Sequence, residues 1–346
     1  MKRSTYLPIA ILAALCASLP AAQTANAMTH IVTWDPVEFD RWIYPFNGTP
    51  GFRNLASTFN AIGSAPAFDN KDAIFFVAVD TASAGIPAGE GPSNYNAITI
   101  RVTATHFAGA FDYDPTYDPW QSYLDPTDPE WAVDSDAGRP IELYGVGFRN
   151  GYESPLAVGA SFQSGPPGYE ENETFCAGCP SGQGQGVRNI FPYDPSVPDP
   201  EGDASNNVAR FPPLVGSSFD TVPFAIGQST SGLSPGDPVP QGVNGVRAGE
   251  TFEFIVDMAN PDILAYVQES LDEGVLAFAI SSMHETVQFV GGTNPNFYTS
   301  ESIDSAAIAP TIEVTVTVPE PAQALGLGAG ACLLLELTRR RRKSSH

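Results

Sequence analysis

Between residues 108 and 138 the chain carries Asp112, Asp114, Asp118, Asp125, Asp128, Glu130, Asp134 and Asp136, interleaved with Tyr113, Tyr117, Trp120, Tyr123 and Trp131. Asp-x-Asp spacing in a Pro-rich loop offers oxygen ligands at short range, and calcium takes about six to eight oxygens. Asp112, Asp114, Asp118, Asp134 and Asp136 are therefore candidate calcium ligands, although the glycine and closing glutamate of an EF-hand loop are missing. The competing reading is solvated turn chemistry, in which Asp starts a turn and the following Pro fixes φ. A second cluster, Asp194, Asp199, Glu201, Asp203, Asn206 and Asn207, admits the same two readings. The tryptophans Trp34, Trp42, Trp120 and Trp131 could stack on sugar rings. Trp120 and Trp131, inside the acidic loop, are the ligand-binding candidates, because tryptophan at a strand position is more often core.

Other chemistry is harder to assemble. Gly232-Leu233-Ser234-Pro235-Gly236 matches the G-x-S-x-G string. An oxyanion hole there would need the backbone N–H of the residue after the serine, and Pro235 has none. A glycosidase needs two carboxylates facing each other across a sugar, and so many acidic residues single out no pair. Cys176 and Cys179 form a C-x-x-C in a loop rich in Glu, Asn, Gly and Gln, without the strand and helix that a thioredoxin-like site requires. His30, His106 and His284 are distant from that pair in sequence, which leaves a zinc site short of ligands, and no His follows Cys179 as haem attachment would need. A local disulfide between Cys176 and Cys179 is the expectation, with a redox role or a free or intermolecular thiol pair as alternatives.

Charge narrows the partners. From residue 28 to residue 318 there are nine Lys/Arg against 37 Asp/Glu, a net charge of −28. That field repels nucleic acid and anionic lipid and favours cations. Nucleic-acid binding is excluded as a function on this ground. With 42% hydrophobic and 11% aromatic residues the chain can bury a sizeable core, while 32 Gly and 32 Pro imply many turns.

The elements that must position these side chains are mostly strands. Ile98, Ile100 and Val102 alternate with polar residues, as do Phe252, Phe254 and Val256, and Ile312, Val314, Val316 and Val318. Each run predicts a strand with one buried face. The more continuous apolar runs at 73–79 and 275–280 predict central strands, and 141–146 is another strand candidate. One helix is expected: Asn260 caps, Pro261 takes the first position, Ile263, Leu264, Val267 and Leu271 form a stripe, and Gly274 ends it. The fold class is all-β, an antiparallel β-sandwich with long loop excursions at 108–138 and 163–249 and one short helix closing an end. Residues 28–318 are expected to form this single acidic domain, a split near residues 165–167 being the alternative.

Both ends predict export. Lys2 and Arg3 precede an apolar run, and Ala25-Asn26-Ala27 offers a cleavage site, so residues 1–27 have the layout of a signal peptide. Val318-Pro319-Glu320-Pro321 is followed by an apolar segment at 322–338 and by Arg339, Arg340, Arg341, Arg342 and Lys343. Those 17 apolar residues would span roughly 25 Å as a helix, the lower limit for a transmembrane helix, and the arginines would lie on the cytoplasmic side. Box, hydrophobic segment and basic cluster together resemble the PEP-CTERM sorting signal of Gram-negative bacteria. The resemblance implies that residues 319–346 hold the protein in the inner membrane, facing the periplasm, until an exosortase-type enzyme processes it for the cell surface.

The body has its own resemblance. The aromatic run Asp40-Arg41-Trp42-Ile43-Tyr44 comes first, then Asp69-Asn70-Lys71-Asp72 and a strand, then Tyr95-Asn96-Ala97-Ile98-Thr99. The helix follows late, with Phe297-Tyr298-Thr299-Ser300-Glu301 and a last strand after Pro310. This order of parts resembles the DNRLRE-type, carbohydrate-binding-module-like β-sandwiches of secreted bacterial proteins, and it implies a jelly-roll-like arrangement. The expected function is that of an exported, surface-directed, non-enzymatic protein of the bacterial envelope or extracellular matrix. A carbohydrate-binding module that takes polysaccharide is the alternative, and a secreted polysaccharide-active enzyme comes third.

Overall fold

The computed structural model describes residues 27–44, 53–60, 70–148, 190–197, 201–208, 218–285 and 294–319. The residues before Ala27 expected to form a signal peptide, the Cys176–Cys179 pair, the alternative boundary at 165–167 and the tail from Glu320 onward, with Pro321 and the four arginines, lie outside them. Thr29–Thr317 forms one compact unit. Of the other, Met1–Met28 with Val318–His346, only residues 27–28 and 318–319 are described. Among the described residues no helix is long and apolar enough to cross a membrane.

Among the described residues, thirteen strands and one α-helix follow in chain order: β1 (Ala27–Trp34), β2 (Phe39–Ile43), β3 (Leu55–Ser57), β4 (Ile74–Asp80), β5 (Asn96–Ala108), β6 (Ile141–Phe148), β7 (Ile190–Tyr193), β8 (Ala225–Ile226), β9 (Gln228–Ser229), β10 (Thr251–Ile255), α1 (Pro261–Glu273), β11 (Val275–Ser282), β12 (Asn296–Tyr298) and β13 (Thr311–Pro319). One sheet runs β1-β13-β5-β10-β9, with β12 joining β5 and β3 joining β12. The second runs β2-β4-β11-β6-β7, with β8 on β6. The strand pairings whose register is described are antiparallel, an isolated bridge between Asn60 and Glu285 being parallel, and the Phe75 ring of β4 stacks on Phe297 of β12 at 6.3 Å, so the sheets pack face to face. The result is a β-sandwich-like body.

The two kinds of strand pattern mark two kinds of sheet. In the first, Ile98, Ile100, Val102, Phe252, Phe254, Ile312 and Val314 point inward. The outer face is polar and cross-linked: Arg101 reaches Glu253 at 2.9 Å and Glu313 at 3.5 Å, and Thr103 meets Thr311 at 2.7 Å. In the second sheet both faces are covered. Phe75, Val77 and Phe278 are buried on one side, and Phe76, Ala78, Ala277 and Ala279 on the other, where they join Phe39, Ile43 and Val146. A strand buried on both faces has no reason to alternate, which explains the continuous apolar runs.

The helix forms as its signals direct. Asn260 Oδ1 accepts from the Asp262 and Ile263 N–H groups, Pro261 occupies the first turn, and Gly274 closes it with φ +84°. Ile263, Val267 and Leu271 are buried. The helix packs against β11 of the second sheet and against the 3-10 turn Pro92–Asn94 that leads into β5. Its Tyr266 does something the stripe did not announce. β11 pairs with β6 as far as Ala279 opposite Tyr144. Two residues further along that register, Ala277 and Val146 are bridged instead by the Tyr266 hydroxyl, which donates to the Ala277 carbonyl at 2.8 Å and accepts from the Val146 N–H at 2.9 Å. The hydroxyl replaces a ladder bond where the two strands part and keeps the Val146 N–H and the Ala277 carbonyl paired.

Candidate functional site

The acidic loop between β5 and β6 is built from a repeated local device. In Asp114-Pro115-Thr116 the Asp114 Oδ1 accepts from the Thr116 N–H and Oγ1, both at 2.8 Å. Asp125-Pro126-Thr127 and Asp194-Pro195-Ser196 repeat it, with N–H contacts of 2.8 Å in each, and Asp203 does the same for Ser205. These are Asp-initiated turns in which the side chain mimics a turn carbonyl. For Asp125, Asp194 and Asp203 the turn accounts for the carboxylate, Asp194 Oδ2 also taking the Val222 N–H at 2.6 Å. Asp199 lies outside the described residues.

Asp114 differs. It is only 2% exposed, and its Oδ2 is buried without a hydrogen-bond partner. Carboxylate oxygens of Asp114, Asp118 and Asp136 lie within 4.8 Å of one another. Asp118 is buried as well, and its Oδ2 accepts from Arg139 Nη1 at 2.6 Å. Asp134 Oδ2 takes the same nitrogen at 2.8 Å. Asp112 is not part of the cluster: its backbone bridges to Pro238, and its side chain is exposed. Of the five candidate ligands the structure therefore gathers three, pairs Asp134 with Arg139, and turns Asp112 away.

Two features sequence reasoning missed hold the cluster together. Arg139, one of only nine Lys/Arg between residues 28 and 318, follows the loop at once, a signal that could have marked it. It donates to Asp118, Asp134, Ser122 Oγ and the Ser122 carbonyl, and its guanidinium lies 4.4 Å from the Tyr123 ring centroid. Gly138 is the other. At φ +110° a Cβ there would lie 2.7 Å from the Asp112 carbonyl oxygen and 3.0 Å from Asp114 Cβ. Only glycine lets the returning arm of the loop lie against the outgoing one. Burial raises the Asp114 carboxyl above the usual carboxylate range, against the Thr116 hydrogen bonds, with Asp136 and Asp134 adding repulsion. Burial pushes Asp118 up to about 7, with Arg139 opposing.

A cavity of about 580 Å³ opens beside the cluster, lined among others by Phe111, Tyr123, Trp131, Arg139, Asn60 and His284. Trp131 is 36% exposed at its edge. Trp120 is half-buried and packs with Tyr123 against Leu124, Val208 and Met283, so it serves the core of the loop. Trp34 is buried, and Trp42 is half-buried with its Nε1 donating to the Ser57 carbonyl at 2.9 Å. His284 is 5% exposed, meets the Phe111 ring edge-on at 4.7 Å, and has no hydrogen-bond partner at either ring nitrogen. Burial drives its pKa down to about 3, with Arg139 and His106 contributing. The imidazole is neutral at any physiological pH and offers one donor and one acceptor. The Tyr123 hydroxyl is likewise buried without a partner. Aromatic walls with a few convergent polar groups are what a small-molecule pocket needs.

The other strings with chemical potential do not converge. Ser234 sits in the turn-rich segment between β9 and β10 with no helix after it, its N–H donating to Asp237 Oδ2 at 2.7 Å. That is not the strand–turn–helix setting of a nucleophile elbow. His106 is buried far down β5, held by the Pro240 and Ala108 carbonyls at 3.2 and 2.6 Å. Comparison with protein-family models and with curated proteins gave no match to this chain.

Proposed function

We propose that the chain is an exported, surface-directed protein whose jelly-roll body binds or builds rather than catalyses, in a bacterial envelope or extracellular matrix. The succession of features at the end of the sequence carries this reading: Val318-Pro319-Glu320-Pro321, the apolar segment at 322–338, then Arg339, Arg340, Arg341 and Arg342. A body with a net charge of −28 suits a hydrated surface and does not adhere to anionic lipid. The strand order supports the jelly roll. β1-β13-β5-β10 in one sheet and β4-β11-β6-β7 in the other is the order obtained by folding one long antiparallel hairpin over itself, with β2 and β9 added at edges. In cells, a tag placed after His346 should be cytoplasmic on the full-length, inner-membrane form and missing from the surface form processed by an exosortase-type enzyme. A tag reached only from the periplasm overturns the sorting reading.

One observation favours a second reading, a carbohydrate-binding module. Trp131 stands at the edge of a cavity whose walls are Phe111 and Tyr123 and whose polar groups include a neutral His284. An exposed ring beside unpaired donors and acceptors suits a neutral polyol that stacks and hydrogen-bonds at once. On a glycan array, binding without turnover is expected, and Trp131→Ala should weaken it about tenfold, a loss of roughly 1–2 kcal/mol. Turnover of a polysaccharide would favour the enzyme instead, and the absence of both binding and turnover leaves the matrix role.

A further inference from the structure

We propose that Asp114, Asp118 and Asp136 bind one calcium ion, which pins the two arms of the acidic loop together. The argument is independent of whether the neighbouring cavity takes a sugar. Acidic clusters are common on a surface this charged, so the case rests on what sets this one apart. Four Asp-initiated turns share one hydrogen-bonding scheme, and only at Asp114 does the scheme leave a buried carboxylate oxygen with no partner. That carboxyl is turned into the cluster, with an oxygen within 4.8 Å of an oxygen from each of Asp118 and Asp136. A buried carboxylate oxygen without a donor is costly, and a bound cation removes the cost.

Proton counting points the same way. Thr116 Oγ1 lies 2.8 Å from Asp114 Oδ1 and 2.9 Å from Asp136 Oδ2. A hydroxyl has one proton, so one of those oxygen pairs faces lone pair to lone pair while both carboxyls are ionised. A cation between the two carboxylates relieves the repulsion, and the hydroxyl's own lone pairs can join it. The charge also fits: Asp114, Asp118, Asp134 and Asp136 against Arg139 leave three negative charges, which a divalent ion reduces to one. Arg139 engages Asp118 through Oδ2 alone and occupies Asp134, which makes it a brace for the site. The donors are all hard oxygens. Oxygens that share a calcium ion at ~2.4 Å stand at most ~4.8 Å apart, a bound the three residues meet, whereas magnesium requires a tighter octahedron and gives up water reluctantly.

The test uses the full-length protein purified in detergent and stripped with a chelator. Calorimetric titration with calcium should give one site per chain. The melting temperature should rise more with calcium than with magnesium at matched ionic strength, because an ion bound only by the folded state stabilises it by mass action while screening treats both ions alike. Asp136→Asn, at the most exposed of the three positions, should keep the chelator-state melting temperature and weaken calcium binding at least tenfold. Asp114→Asn should do the same or worse, and Glu130→Gln, on the exposed side of the loop, should bind like the unaltered protein. Equal shifts for the two ions, no shift with either, or an Asp136→Asn protein that binds calcium normally would each overturn the site.

Discussion

Replacing Lys71 with methionine should destabilise the protein by about 3–5 kcal/mol, the largest effect expected of any single substitution here. Lys71 Nζ donates to Glu142 Oε2 at 2.6 Å, and the two side chains are 0% and 1% exposed. The ammonium also lies 5.1 Å from the Tyr144 ring centroid. Glu142 Oε2 accepts a second bond, from the Tyr144 hydroxyl at 2.9 Å, and that hydroxyl contacts Thr221 Oγ1 at 2.7 Å. From there the network reaches the acidic loop: the Thr221 N–H donates to the Tyr117 hydroxyl, and Asp220 takes the Trp120 N–H. Removing the cation strands a carboxylate in the interior, where the Tyr144 hydroxyl still donates to it. Removing both charges, in Lys71→Met with Glu142→Leu, takes away that penalty, so the double variant should recover most of the lost stability. Urea unfolding of the two single variants and the double variant measures this directly. A loss below ~1 kcal/mol for Lys71→Met would mean that water reaches the pair and that the network is not the keystone of the loop's attachment.

How much of this was legible beforehand depends on the range of the signal. The strands β5, β10 and β13 declare themselves because one of their faces meets water, and α1 because cap, first-turn proline and terminal glycine are local chemistry. β4 and β11 are legible as apolar runs and β6 as a strand candidate interrupted by Glu142, and burial on both faces explains why the alternation is missing. β8 and β9 are two residues each and carry no periodicity, yet between Ile226 and Gln228 the chain changes sheets. In the acidic loop the Asp-Pro-Thr turns are local and readable. Which carboxylates meet is not readable, because it depends on how the loop returns, and that is decided by Gly138 and Arg139, more than 20 residues after Asp114. The Lys71–Glu142 pair, separated by 71 positions, and the approach of His284 to Phe111 are of the same kind. Such contacts follow from topology, and no window of sequence contains both partners.

His284 should give the protein an acid limb of its own. Its pKa in the folded state is about 3, lowered first by burial and then by the charges of Arg139 and His106. An unfolded histidine titrates near ~6.5. Between those values the unfolded chain binds a proton that the folded one refuses, so stability rises with pH across that window. The contribution is complete above ~6.5 and is lost as pH falls toward 3, at about 1.4 kcal/mol per pH unit. His106, also lowered by burial, adds in the same direction. Asp118 acts in the opposite sense, since a carboxyl raised to about 7 takes up its proton more readily when folded and stabilises as pH falls. Asp112, Asp134 and Glu285 line the cavity that His284 faces, so the total pH curve is a composite. A difference between variants isolates the histidine. His284→Gln keeps a neutral donor and acceptor but cannot titrate, and every other group cancels to first order. Between pH 7 and pH 4 the unaltered protein should lose about 3 kcal/mol more than the variant in denaturant melts. Parallel curves would mean that the imidazole is hydrated in the folded protein. In that case its two nitrogens already have partners in solution, and the cavity would offer a ligand nothing that water has not taken.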